Sequence, residues 1–122
     1  MTNTYMHPRY AGQEQLTEAI EANDVERLRE MIIAAALHEE DFDFASSACV
    51  RLSRHTDEFV RGNAVLGLGH IARLFGRLGT DAVETVKTSL DDPSGYVRGQ
   101  AHAAAGDLAH RGGIEVRRPE EQ

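Results

Sequence analysis

The sequence is poor in the residues on which several protein classes depend. It has one cysteine, no tryptophan and three prolines among 122 residues. A single cysteine excludes a disulfide framework within the chain and a cysteine-based zinc knuckle. No apolar run reaches the roughly 18 residues of a membrane span, and the N-terminus lacks the basic and apolar regions of a signal peptide. We therefore expect a cytoplasmic protein without a membrane partner.

Basic residues are also scarce relative to acidic ones. Lysine and arginine total 13 against 20 aspartates and glutamates, for a net charge of −7 at pH 7. This sign is wrong for a nucleic-acid binder, which needs a basic surface. Residues 1–61 carry a net charge of −6 and residues 62–122 only −1. The sharpest acidic cluster consists of Glu39, Glu40, Asp41 and Asp43.

Two interpretations of this acidic cluster stay open at this point. Acidic residues are favoured at a helix start by the helix dipole, so the cluster is compatible with an ordinary solvated loop. Alternatively, it forms an acidic patch that steers a basic protein partner.

The abundant residue is alanine, and the apolar fraction of 41% is normal for a globular chain. This composition favours helix over sheet. The length predicts a single domain, which we place at residues 13–114 between tails at 1–12 and 115–122.

An internal repeat is visible in the second half of the chain. Residues 60–64 (VRGNA) recur as residues 97–101 (VRGQA), and residues 69–72 (GHIA) recur as residues 106–109 (GDLA), both with an offset of 37. A helical pattern of apolar residues precedes each copy. A third unit lies upstream of these two. Its sequence is degenerate, as that of terminal repeats often is. We predict an all-α fold of three antiparallel helix pairs, with units at about 13–38, 43–75 and 80–111.

Breakers and caps divide these units into six helices. Asp57 or Thr56 is suited to cap a helix that begins near Glu58, and Gly76 and Gly79 bracket the break that follows. The predicted helices are 13–22, 25–38, 43–54, 58–75, 80–91 and 95–111.

Small residues are predicted to bring these helices close together. Gly69 and Gly106 occupy the same repeat position, and close packing is a sufficient reason for both. Cys49 falls on the apolar face of its helix and is predicted to be a small core residue.

The repeat resembles HEAT repeats, and more specifically the short bacterial HEAT-like, or phycobilisome-lyase-like, kind. The resemblance covers about residues 42–112 and implies a short right-handed α-solenoid. It also implies a structural ladder between neighbouring units, formed by second-helix arginines and inter-helix aspartates. Those residues are Asp57, Arg61, Asp92 and Arg98. In the first unit Glu26 stands where the arginine would be, so we expect the ladder to stop there.

Catalytic, metal and cofactor motifs are not found in the sequence. His102 and His110 lie two helical turns apart, about 12 Å, which is too far to share one ion without a third element. His70 and Asp107 are equivalent positions in adjacent units, and we expect a surface or hydrogen-bonded histidine there. No nucleophilic triad, phosphate loop or dinucleotide fingerprint is present. We predict a protein that is not an enzyme and has no cofactor.

The second helices of such a repeat line one face, which is the candidate binding surface. A stripe from Phe59 contains Asn63, Leu66, His70 and Arg73, and the next unit repeats it as Tyr96, Gln100, Ala103, Asp107 and His110. The first unit, aligned at offset 35, contributes Asp24, Leu28, Met31, Ala35 and His38. Aromatic and methionine anchors among polar groups are typical of protein-binding patches. The alternative is that Phe59, Tyr96, Leu66 and Met31 are buried between units. For Leu28 we expect a place in the core.

The resemblance implies a function in protein binding. HEAT-like proteins occur beside bacterial polymorphic or contact-dependent toxins, where they serve as immunity proteins. An acidic protein of this kind could occlude a basic toxin, with contacts from the acidic cluster and the stripe. The alternatives are an accessory or scaffold subunit of a lyase-type enzyme complex, or an adaptor that forms a homodimer through an apolar solenoid end.

Overall fold

A computed structural model describes residues 10–111, which form six helices and no strand. The helices are α1 (Gln13–Ala22), α2 (Val25–His38), α3 (Phe42–Leu52), α4 (Glu58–Phe75), α5 (Thr80–Ser89) and α6 (Gly95–Arg111). The predicted all-α class and the number of helices are confirmed, and α1, α2, α4 and α6 have the predicted bounds. Residues 1–9 and 112–122, on which most of the two predicted tails fall, lie outside the described part.

Two helices end earlier than predicted, α3 at Leu52 and α5 at Ser89. The residues that follow each helix form bonds between positions i and i−3, as His55 does to Leu52 and Asp92 does to Ser89. This tighter winding ends the α-helix while the chain continues to turn.

Aspartates begin three of the helices. The side chains of Asp24, Asp41 and Asp57 each accept a hydrogen bond from a backbone N–H in the first turn of α2, α3 and α4. Asn23 and Gly76 end α1 and α4 in the left-handed conformation, with φ of 51° and 72°. These residues supply the caps that an α-helix needs at its unsatisfied ends.

Packing places α2, α4 and α6 side by side, with α4 in the middle. Helix α1 packs on α2, whereas α3 and α5 contact each other and also contact α4. A single apolar cluster runs through these helices, and its largest fully buried members are Leu16, Leu28, Ile32, Leu68, Ile71 and Leu108. Cys49 belongs to this cluster and is fully buried. Within residues 10–111 no helix is long and apolar enough to cross a membrane.

Glycines set the distance between α4 and its neighbours. A Cβ added to Gly69 would lie 2.8 Å from Ala104 Cα, and one added to Gly67 would lie 2.9 Å from Cys49 Sγ. The expectation that Gly106 is also required for close packing is wrong for the described residues, because a Cβ there would have no neighbour within 4 Å. Gly106 faces away from α4, and no described helix covers it.

Candidate protein-binding surface

Two bidentate ion pairs join the second helices α2 and α4 to the loop of the following unit. Arg61 on α4 donates to both carboxylate oxygens of Asp92, at 2.8 and 2.9 Å. Arg29 on α2 donates in the same way to Asp57, at 3.1 and 2.8 Å. Bidentate geometry fixes direction as well as distance, so these pairs hold successive units in register.

From the sequence, the ladder is expected to stop before the first unit, because Glu26 stands at the arginine position, but the structure shows that it continues. Arg29, one helical turn later on α2, reaches Asp57 and continues the ladder into this unit. Arg98 forms no such pair within the described residues and instead donates to the backbone carbonyls of Asp92 and Pro93. The sequence signal that predicts this role for Arg29 is its spacing from Glu26, because residues three apart share a helix face.

The ion pairs shift the acidity of their carboxylates. The hydrogen bond from Arg29 lowers the pKa of Asp57 to about 2, against the smaller opposing effect of burial. The hydrogen bond from Arg61 likewise lowers the pKa of Asp92. Both aspartates therefore remain charged at neutral pH.

Two aromatic rings lie at the protein surface next to Arg29 of this ladder. The rings of Phe59 and Tyr96 lie 4.9 Å apart and remain 41% and 36% exposed. The guanidinium of Arg29 lies over the Phe59 ring at 5.0 Å. We call Arg29, Phe59 and Tyr96 the aromatic surface. Phe59 and Tyr96 are therefore exposed and are not buried between units.

Asn63 holds the aromatic surface in place from beneath. The Tyr96 hydroxyl donates to Asn63 Oδ1, and Asn63 Nδ2 donates to the Arg29 carbonyl at 2.9 Å. The expectation that Asn63 is itself a contact residue conflicts with its burial, because only 8% of it is exposed. A buried side chain whose donor and acceptor are both satisfied positions its neighbours, so Asn63 joins α2, α4 and α6 at one point.

The other residues of the stripe on α4 and α6 are less exposed to solvent than expected. Leu66, His70, Gln100 and Asp107 are half-buried on α4 and α6. Leu28 is fully buried, as expected of a core residue, but the first-unit stripe at offset 35 is wrong as a surface, because Ala35 is also fully buried and Met31 packs partly against the core. The ion pairs make Arg29 the equivalent of Arg61, an offset of 32, and this places Leu28 at the buried position of Val60.

His70 is bonded to its own helix. Arg73 lies 3.1 Å from His70 Nδ1, and Asp107 on α6 acts on the ring from the facing helix. Burial and the Arg73 charge lower the pKa of His70, and they outweigh the raising effect of Asp107. A neutral ring that accepts a hydrogen bond from an arginine is the hydrogen-bonded histidine expected from the sequence.

The acidic cluster is partly used within the fold. Glu39 accepts hydrogen bonds from the Tyr10 hydroxyl, from Gln13 and from the backbone N–H of Asp41. Asp41 in turn caps α3. Of the four acidic residues, only Glu40 and Asp43 are exposed and are not used in these bonds. The cluster is therefore in large part a structural junction between α1, α2 and α3.

The structure does not bring the acidic cluster and the aromatic surface together. The Phe42 ring, beside the cluster, contacts Phe75 at 5.3 Å and has Arg77 stacked on it at 3.7 Å. Phe59 and Phe75 lie at opposite ends of α4, about 24 Å apart at 1.5 Å per residue. The two features expected to act as one site are separated by the length of a helix.

Elsewhere in the described part of the chain, several polar side chains that line a second groove are used in bonds within the fold. This groove beside α5 contains Asp92, which is paired with Arg61, and Ser53 and Ser89, whose hydroxyls donate to backbone carbonyls. Burial raises the pKa of the Cys49 thiol to about 12, so it is not a ready nucleophile. Among residues 10–111 no group of three His, Cys, Asp or Glu side chains is placed to hold a metal.

No protein family, curated protein or solved structure matches the chain significantly. The aromatic surface therefore stands as the candidate site on its geometry alone. It is the place where exposed aromatic area, a stacked arginine and a satisfied polar network coincide.

Proposed function

We propose that this chain is a protein-binding module that contacts its partner through the aromatic surface. The observation that carries the proposal is the exposed pair of rings, Phe59 and Tyr96, held together at 4.9 Å. Aromatic residues and arginine dominate the binding energy of protein interfaces, and few other residues contribute as much. Three such side chains at one point form the core of a contact site.

Preorganisation supports this assignment. Phe59 contacts both the Tyr96 ring and the Arg29 guanidinium, and the Tyr96 hydroxyl is bonded to buried Asn63. Side chains that are already ordered lose little conformational entropy when a partner binds. The side chains of the aromatic surface are thus already ordered in the free protein, as they are in a preorganised interface.

The arrangement of the second helices supports a short HEAT-like solenoid. Helices α2, α4 and α6 lie side by side in chain order, and the Arg29–Asp57 and Arg61–Asp92 pairs repeat from one unit to the next. In a solenoid each unit contributes one helix to a continuous face. The aromatic surface spans all three units of this face.

The charge around the rings favours a basic partner. Glu26 acts on Arg29 electrostatically, and Glu58 adjoins Phe59 and accepts a hydrogen bond from Ser94. With a net charge of −7, the molecule attracts cationic proteins over a distance. Within this class we propose an immunity protein that binds a basic bacterial toxin and blocks it by occupancy, without catalysis.

A paired variant tests the contact surface. The tagged chain is expressed in its host cell, bound proteins are recovered at low and high salt, and each recovered protein is produced with and without the chain. We expect a basic protein that harms cells when produced alone and is neutralised by the chain. The double variant Phe59→Ala/Tyr96→Ala should lose both binding and protection.

The matched control is Leu74→Ala, which removes another exposed apolar side chain of α4 at the far end of the helix. This variant should bind and protect like the unchanged chain. Protection that survives loss of both rings would refute the site. A recovered partner that is acidic, or harmless to cells, would refute the toxin-inhibitor function while leaving protein binding in place.

A further inference from the structure

The groove beside α5 contains charged groups that the described fold does not neutralise. Its volume is about 450 Å³, which lies in the range of about 300–1,000 Å³ typical of small-molecule sites. Four of its residues follow one another on α5 at positions i, i+3, i+4 and i+7, so they share one face of that helix. Together with the chain just after α3, this face gives the groove a polar lining of Asp81, Glu84, Thr85, Thr88, Ser53 and Arg54.

The hydroxyl groups of this groove can accept hydrogen bonds from a ligand but have no proton left to donate. Ser53, Thr85, Thr88 and Ser89 each donate to a backbone carbonyl three or four residues earlier, at distances from 2.6 to 3.2 Å. A hydroxyl has a single proton and two lone pairs, so each of the four retains only acceptor capacity. The two serines are 9% and 8% exposed, so part of this acceptor surface is buried. The groove therefore suits a ligand that is rich in hydrogen-bond donors.

Three charged side chains of the groove remain available to a ligand. Arg54 takes part in none of the ion pairs among the described residues. Asp81 accepts a bond from the next backbone N–H with one carboxylate oxygen, and its other oxygen has no hydrogen-bond partner among the described residues. Glu84 has a side chain that is 60% exposed and meets Lys87 only at 4.0 Å, so this exposed pair holds it weakly. One positive and two negative groups thus line the same groove.

We infer that this groove binds a free basic amino acid of the arginine type. Such a molecule carries one carboxylate and two cationic groups, which is the complement of Arg54, Asp81 and Glu84. Its ammonium and guanidinium groups donate to the carboxylates and to the hydroxyl lone pairs, and its carboxylate fits the planar fork of Arg54.

Ligands of a single charge fit this lining less well. An anion would bind Arg54 but would be repelled by two carboxylates, and a cation would be repelled by Arg54. The inference is independent of the proposed function, because the side chains of the aromatic surface belong to α2, α4 and α6.

Titration of the full chain with arginine, followed by NMR of the backbone amides, tests this site. We expect saturable shifts at the residues that line the groove. Three analogues each lack one of the charged groups: agmatine lacks the carboxylate, N-acetylarginine the ammonium group and norleucine the guanidinium group. Each analogue should bind about tenfold more weakly than arginine or worse, because one charged group of the groove then has no partner.

Substitutions in the groove connect each charge of the ligand to its protein group. Arg54→Ala should weaken arginine binding about tenfold but should not weaken agmatine binding, since agmatine has no carboxylate. Glu84→Gln should weaken the binding of both. The matched controls are Arg51→Ala and Glu30→Gln, which change exposed residues outside the groove and should leave arginine binding unchanged.

Several results would overturn the inference. They are the absence of saturable shifts with arginine, agmatine that binds as tightly as arginine, and arginine binding that survives both groove substitutions. Circular dichroism of the variants verifies that they keep their helices, as expected for exposed side chains. None of these outcomes bears on partner binding by the aromatic surface.

Discussion

At the scale of single residues, Gly69 and Gly106 show how one repeat position acquires two environments. Gly69 lies under α6, where backbone atoms of Ala104 occupy the space that a side chain would need. Gly106 has open space in the same direction. Identical residues at identical repeat positions therefore respond in opposite ways to the same substitution.

We predict that Gly69→Ala destabilises the fold by about 1–3 kcal/mol, because the added methyl group pushes α4 and α6 apart. Gly106→Ala should stabilise it by about 0.5–1 kcal/mol, since the methyl group enters open space and the unfolded chain loses freedom. Urea unfolding followed by circular dichroism measures both changes. Equal effects of the two substitutions would show that α6 does not pack on Gly69.

At the scale of elements, ion pairs connect the helices of one unit to the loop of the next. The Arg61 and Asp92 side chains are only 18% and 13% exposed, whereas the Arg29 side chain is 40% exposed. Pairs shielded from water contribute more to stability than exposed pairs, which are typically worth less than about 1 kcal/mol. The α4–α6 junction is the better shielded of the two.

Removal of Arg61 should therefore cost more than removal of Arg98. We predict that Arg61→Ala lowers the free energy of unfolding by about 2–3 kcal/mol, because it leaves the shielded Asp92 carboxylate without its partner. Arg98→Ala removes only exposed bonds to backbone carbonyls and should cost less than about 1 kcal/mol. Thermal unfolding of the two variants gives the comparison. A larger loss in Arg98→Ala would contradict the ladder as a source of stability.

The second ladder pair predicts a pH dependence. The pKa of Asp57 is about 2 in the folded chain, below the ordinary value of 3.8. The folded state therefore binds this proton less readily than the unfolded state. The stabilisation is fully present above about pH 4 and is lost as the pH falls towards about 2. Stability measured by urea unfolding should decrease across this window.

Asp57→Asn should reduce that pH dependence. Asparagine keeps the N-cap of α4 but cannot form the ion pair with Arg29, so the variant should be less stable at neutral pH and lose less on acidification. Asp41→Asn is the control, because Asp41 caps α3 without an ion pair among the described residues. An Asp57→Asn variant that keeps the slope of the unchanged chain would refute the assignment.

At the scale of the whole molecule, the negative charge is distributed unevenly over two ends of the second-helix layer. Glu26 and Glu58 lie beside the aromatic surface, and Glu40 and Asp43 lie near the other end of α4. Charges close to an interface change the association rate more than distant ones, because salt screens exposed charges over about 10 Å.

For the proposed basic partner we predict that Glu26→Lys slows association about tenfold at low salt, with the difference shrinking as salt is added. Glu40→Lys makes the same charge change about one helix length away and should have a much smaller effect. Stopped-flow or surface-based binding kinetics at two salt concentrations distinguishes them. A greater effect of Glu40→Lys than of Glu26→Lys would show that the acidic cluster belongs to the binding site.

The helices are largely a property of local sequence. The period of the apolar residues, the aspartate caps and the turn residues Asn23 and Gly76 act within a few positions, and α1, α2, α4 and α6 have the bounds that these signals indicate. The burial of Cys49 also follows from its place on an apolar helix face. Such features need no knowledge of how the helices pack.

Packing between units decided what local sequence left open. The exposure of Phe59 and Tyr96, the burial of Asn63 and the partner of Arg29 all depend on how far α2 and α6 are displaced along α4. Periodicity alone places the first unit at offset 35, but the bond between Arg29 and Asp57 places it at 32. A helix pattern specifies which face is apolar, whereas the register between neighbouring helices is set by long-range contacts, and those exist only in the folded chain.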